Sequence, residues 1–123
     1  MNEKGRTGEE FAVETLKKQG YNILAVNYHS RFGEVDIIAS KNNDICFVEV
    51  KTRRQNSMVG GLEAVTKSKQ KKIIATAVLY LQDNNCDLQP RFDVFSVETD
   101  RQKNIFSYEH IENAFDSTAY SGY

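Results

Sequence analysis

Tryptophan is absent from this 123-residue chain, proline occurs once and cysteine twice. The two cysteines, Cys46 and Cys86, stand far apart, with no CxxC and no histidine at ligand spacing, which excludes a disulfide-stapled scaffold and a zinc ribbon. Cys46 lies inside an apolar run and reads as a free buried thiol. His29 and His110 are isolated from each other and from the cysteines. No apolar run approaches the length a bilayer crossing needs, so no membrane partner is expected. No secretory signal opens the chain, and the cytoplasm is the expected compartment. With little proline, seven glycines and no internal repeat, collagen-like, low-complexity and solenoid architectures are excluded as well.

Net charge is also small, at -1, but it is unevenly spread. Residues 1–82 carry a net +4 and residues 83–123 a net -5. The sharpest feature is residues 51–72, where Lys51, Arg53, Arg54, Lys67, Lys69, Lys71 and Lys72 face Glu63 alone for a net +6. Such a stretch attracts phosphates locally without a basic overall pI, although a solvated helix face produces the same run.

Hydrophobic periodicity supplies the elements. GEEFAVETLKKQGY predicts a helix closed by Gly20, with Ala12, Val13 and Leu16 on one side and Glu10, Glu14, Lys17 and Lys18 on the other. Glu9 then falls on the apolar side, and Glu10 does not. YNILAVNY, EVDIIAS and ICFVEVKTR follow as three strands with short connections, an antiparallel meander. Alternation puts Glu34, Asp36 and Ile38 on one face of the second strand, and Ile45, Phe47, Glu49 and Lys51 on one face of the third. Residues 55–65 read as a glycine-containing loop. A helix from Thr66 to Leu81 buries Ile73, Ile74, Ala77, Val78 and Leu81, capped by Thr66 or Ser68, with Gln70 projecting from its apolar stripe near the basic cluster. RFDVFSVE and KNIFSYEHI predict two more strands, with Arg91 and Asp93 pairing along one face. The expected class is α/β (α+β), a central mixed sheet of about five strands flanked by helices in the order αβββαββ. Residues 1–110 form the expected domain, and 111–123 a short helix at Glu112 to Phe115 followed by a frayed tail.

Asp36, Glu49 and Lys51 are out of place by composition. They sit in or at the edge of apolar strands, where an unpaired charge costs several kcal/mol. Metal-assisted phosphodiester hydrolysis would use this set. Two carboxylates on rigid strands, Asp36 and Glu49, with the Val50 carbonyl between, can hold Mg²⁺ or Mn²⁺, and Lys51 can orient water or stabilise charge developing on a phosphate. A structural alternative stands beside it: an Asp36–Lys51 ion pair between strands, with Glu49 held by Arg53 or Arg54 and no metal.

Asp36 followed after a hairpin by Glu49-Val50-Lys51, with an acid on a preceding helix, resembles the PD-(D/E)xK signature of the restriction-endonuclease-like fold. Over nearly the whole chain, GRTGEEFA, NYHSRFGEVDIIA, FVEVKTR, EAVTKSKQKKI, RFDVFSV and IENAF resemble the YraN family of bacterial proteins, related by prediction to archaeal Holliday-junction resolvases. The resemblance implies catalytic roles for Glu9, Asp36, Glu49 and Lys51. It implies metal ligation by Asp36, Glu49 and the Val50 carbonyl, a Mg or Mn cofactor, a DNA substrate with branched or junction DNA among its candidates, and a homodimer. The proline common in the general signature is replaced by Val35. Gln70 is an auxiliary candidate, and Arg53, Arg54, Lys67, Lys69, Lys71 and Lys72 are candidate nucleic-acid contacts. Tyr21, Tyr28 and Phe32 offer rings for base stacking or for packing. Two non-catalytic readings remain open: a nucleic-acid-binding module on a nuclease fold, and a protein-interaction subunit using the acidic C-terminal third.

Overall fold

The computed structural model describes residues 7–55 and 65–117; most of the segment expected as a loop at 55–65, the Gly5 position and the end of the tail lie outside the described residues. Helix α1 (Gly8–Lys18) begins at Thr7, whose hydroxyl accepts from the Glu10 N–H at 3.0 Å while the Glu10 carboxylate accepts from the Thr7 N–H at 2.9 Å. This reciprocal cap fixes the first turn and commits Glu10 to it, leaving Glu9 to turn elsewhere. Helix α2 (Lys67–Asp83) is capped by Thr66, whose hydroxyl accepts from the Lys69 N–H at 3.1 Å. Among the described residues no helix is long and apolar enough to cross a membrane.

Between and after the helices run β1 (Asn22–Ser30), β2 (Gly33–Lys41), β3 (Asp44–Arg54), β4 (Gln89–Thr99) and β5 (Ile105–Phe115), in spatial order β1-β2-β3-β4-β5. β1, β2 and β3 form the antiparallel meander. β3 and β4 are parallel, with α2 in the connection between them, and β5 returns antiparallel to β4. A parallel pair needs such a crossover, and the crossover element covers one face of the sheet. α2 covers one face through Ile73, Ile74 and Ala77, packed with Val35, Ile38, Ile45, Phe47 and Phe92. α1 covers the other, with Ala12 and Leu16 against Ile37, Ala39, Cys46, Val48, Phe95 and Val97. Each Val, Leu, Ile or Phe side chain among them contributes about 1.5–3 kcal/mol on removal from water. In the C-terminal half of β3 only Val50 is apolar, packed on the α1 side, and Glu49, Lys51, Thr52, Arg53 and Arg54 are polar.

One expected element is corrected. Residues 112–115 are not a helix, and no boundary falls after residue 110: β5 continues to Phe115, which pairs with Phe92 and stacks on its ring at 5.3 Å. The register shifts between Phe92 and Val94, and Asn113 takes a φ of +55°. A bulge of this kind breaks the two-residue alternation that marks a strand in sequence.

Candidate active site

The start of α1 lies directly against β3. A Cβ built on Gly8 would stand 2.2 Å from the Thr52 Oγ1, so only glycine lets the helix come this close, and Glu9 is delivered to the C-terminal half of β3 in consequence. Glu9 is half-buried and Glu10 exposed. Gly8→Ala is therefore expected to force Thr52 off its rotamer or lift the helix start, costing about 1 kcal/mol. Urea unfolding of Gly8→Ala, Thr52→Ala and the double variant checks this, since the cost should vanish where Oγ1 is gone.

Asp36 does not project from one face as strand alternation predicts. Val35 and Ile38 both pack under α2, whereas Ile37 and Ala39 pack under α1, so the alternation is interrupted at Asp36. Opposite it on β1, Asn27 has a φ of +54°, and the β1–β2 pairing passes from Val26↔Ile37 to Tyr28↔Val35 around it. The β2–β3 pairing ends at Ile37↔Val48. One residue further, the Asp36 Oδ2 accepts from the Val50 N–H at 2.8 Å, so a side chain occupies the gap where a ladder bond would otherwise continue. The N–H and C=O of one strand residue point to the same side, which turns the Val50 carbonyl toward that gap as well.

Glu49 is only 4% exposed. Its Oε2 lies 3.3 Å from the Lys51 Nζ and 3.2 Å from the Lys69 Nζ. Two ammonium groups thus balance one buried carboxylate, which makes its burial tolerable. Asp36 is less well served. Burial pushes its carboxyl up to about 7; the Val50 N–H opposes this, while the nearby Glu49 and Glu9 carboxylates and a side-chain hydrogen bond with Glu49 add to it. The structure thus brings Glu9, Asp36, Glu49 and Lys51 to one neighbourhood. The Asp36–Lys51 pair of the structural alternative is replaced by Glu49–Lys51, and Arg53 approaches Glu98 at 3.8 Å.

The donor set fits a hard divalent cation. Mg²⁺ is ordinarily held by one or two carboxylates, keeping waters or substrate oxygens for its other positions. Two carboxylates and a strand carbonyl offer that kind of site, and the Asp36 carboxyl is raised first by its burial and then by the neighbouring Glu49 and Glu9 carboxylates. Glu9 acts on Asp36 through space without completing a cage: among the described residues no three His, Cys, Asp or Glu side chains are grouped to hold a metal by themselves.

The remaining candidates separate. Lys69, grouped in sequence with phosphate contacts, belongs to the Glu49 cluster, and nothing in its spacing signals this because residues 56–64 intervene between β3 and α2. Arg54, Lys67, Lys71 and Lys72 are exposed. The Gln70 amide donates to the Val65 carbonyl at 3.1 Å, binding it to the entry of its own helix.

A second polar cluster lies on the α1 face, around the fully buried Asp93. Arg91 grips it through Nε at 3.0 Å and Nη2 at 2.9 Å, the His110 Nε2 lies at 2.8 Å, and the Asn113 N–H donates at 3.1 Å. Arg91 also donates to the Tyr21 hydroxyl. Burial works to raise the Asp93 carboxyl, but the bonds from His110, Arg91 and Asn113 outweigh it and hold it below the usual carboxylate range. His110 is therefore not isolated. Beneath this cluster, burial pushes the Cys46 thiol up to about 12, an unreactive group.

A helix, a three-strand meander, a crossover helix and two further strands, with a carboxylate pair where β2 and β3 part, define an α+β protein with a five-stranded mixed sheet in the order αβββαββ. The family model described as "Uncharacterised protein family UPF0102" matches residues 8–97. UPF0102 proteins of Alkaliphilus oremlandii (44% identical, covering 94% of this chain and 100% of their own), Acinetobacter baumannii (43%, 90% and 92%) and Chlorobium chlorochromatii (41%, 92% and 91%) are among its relatives. The chain belongs to UPF0102, the YraN family.

Proposed function

We propose that this protein is a metal-dependent endonuclease that hydrolyses phosphodiester bonds in DNA, with branched or junction DNA as its substrate class. The observation that carries the reading is the Asp36–Glu49 carboxylate pair at the parting of β2 and β3, with Lys51 on the same strand 3.3 Å from Glu49. A divalent cation bound there would supply Lewis-acid polarisation of the phosphate and a more acidic water. The protein's own groups do the rest. Asp36 and Glu49, with the Val50 carbonyl, provide the oxygen ligands. Lys51, held by Glu49, keeps a positive charge beside the reacting phosphate, where charge accumulates in the transition state. Lys69, held by the same carboxylate, adds a second cation on the incoming side. Glu9 completes the acidic rim from α1.

Binding by exposed Arg54, Lys67, Lys71 and Lys72 engages backbone phosphates rather than base edges, which suits recognition of DNA shape over sequence. A junction substrate with two-fold symmetry suits action as a homodimer. The test is incubation of the pure protein with end-labelled duplex, single-stranded and four-way-junction DNA in Mg²⁺ or Mn²⁺. Cleavage is expected to fall about 10²-fold in Lys51→Ala. Undiminished cleavage in that variant, or none in wild type on any DNA, would overturn the reading.

A further inference from the structure

A groove of about 280 Å³ runs beside the carboxylate pair, between the β1–β2 turn and the first turns of α2, lined by His29, Ser30, Gly33, Glu34, Lys69 and Lys72. The turn is fastened to the helix. The Ser30 and Thr76 hydroxyls are hydrogen-bonded at 2.7 Å, and the Ser30 Oγ also accepts from the Phe32 N–H at 3.0 Å. A Cβ on Gly33 would meet the Lys72 Cβ at 3.3 Å, so glycine lets the turn close onto α2 at Lys72. The groove is therefore a fixed depression walled by two lysines and a histidine. Among the described lining residues the one carboxylate, Glu34, lies 3.9 Å from the His29 Nε2. Lys69 is common to the groove and to Glu49, so the groove opens directly from the site. At the tip of the turn Phe32 is 43% exposed, with the Arg31 guanidinium 4.8 Å from its ring centre.

We infer that this groove carries the phosphate backbone of an unpaired DNA strand away from the reacting bond, with Phe32 as a stacking platform for a base of that strand. Lysines in a fixed groove suit a polyanion that must pass through, and a half-exposed ring beside an arginine suits an unstacked base, which a continuous duplex does not offer. The inference rests on the proposed nuclease reading for its starting point, the bond at Asp36 and Glu49, but binding tests it separately.

The experiment measures fluorescence anisotropy of a forked duplex and of a blunt duplex in EDTA, over a range of NaCl, with wild type, Lys72→Glu, Phe32→Ala and, as a surface control, Arg101→Glu, alongside junction cleavage in Mg²⁺. Lys72→Glu should weaken binding of the fork about tenfold and lower the salt slope by about one. Phe32→Ala should weaken the fork about tenfold and leave the blunt duplex unchanged. Arg101→Glu should match wild type. Lys72 in the groove and Phe32 at the tip of the turn are both exposed, so the variants are expected to fold, and circular dichroism checks this. Fork binding unchanged in Lys72→Glu and Phe32→Ala overturns the groove, even if Asp36→Asn abolishes cleavage and the nuclease reading stands. Groove-dependent fork binding without cleavage on any DNA supports the groove and overturns the nuclease. Absence of binding to either DNA at low salt overturns both.

Discussion

Asp36→Asn is expected to lower metal-dependent cleavage by about 10³-fold while making the metal-free protein more stable at pH 8. Both effects have one cause. The folded-state carboxyl titrates at about 7 against 3.8 for the free group, chiefly through burial and then through Glu49 and Glu9. Between about pH 4 and 7 the folded protein holds a proton that the unfolded chain has released, so stability is greatest below that window and falls as pH rises through it. At pH 8 the ionised carboxylate costs roughly 1–2 kcal/mol, allowing for its partial exposure to solvent. Asparagine keeps an oxygen to accept the Val50 N–H, offers N–H groups to Glu49, and carries no charge. Thermal unfolding in EDTA should show Asp36→Asn gaining several degrees over wild type at pH 8 and little at pH 5. A group that weakens the fold and whose removal also ends activity is one retained for chemistry. Equal unfolding temperatures at both pH values would mean that the carboxylate is already balanced and leaves no deficit for a cation.

Asp93→Ala should have the opposite profile, with stability lost and the chemistry of the folded fraction kept. Asp93 lies on the α1 face with Val48 beside it in register, whereas Glu49 and Lys51 lie on the other face of the sheet. Removing its carboxylate leaves Arg91 without its bidentate partner and the Asn113 N–H without its acceptor. Breaking a buried pair of this kind costs about 3–5 kcal/mol, much of it from the groups left behind. Urea unfolding at pH 7 measures the loss. Because the Asp93 carboxyl is held below its ordinary range, its contribution is present above about pH 4 and fades as pH falls further, so wild type and variant should converge in acid. A change below about 1 kcal/mol would show that His110 and Arg91 find other partners. The cluster fastens β5 to β4 at the bulge and links the end of α1 to both through Tyr21.

Much of this architecture is legible in the sequence. The helical face that separates Glu9 from Glu10, the β2–β3 hairpin, Thr66 as the start of α2 and the mixed sheet all follow from spacing and capping, which depend on residues close in sequence. Three features do not. The direction of Asp36 is set by the irregularity opposite Asn27 and by the early end of β2–β3 pairing, and alternation alone assigns it to the face of Ile38. The end of β5 is hidden by the bulge at Asn113, which makes Glu112 to Phe115 look like a helical turn. The partnership of Lys69 with Glu49, and of His110 with Asp93, joins residues on separate elements, and no local pattern records which lysine or histidine arrives. In each case a long-range contact overrides a local period, and two of the three lie where the chemistry is proposed.

Calorimetric titration of Mn²⁺ into the protein at pH 6.5, in two buffers of different ionisation enthalpy, asks most directly whether the parted ends of β2 and β3 grip a cation. One site is predicted, with proton release that disappears by pH 9, and binding is predicted to be lost in both Asp36→Asn and Glu49→Gln. An unchanged isotherm in the two variants would contradict the account.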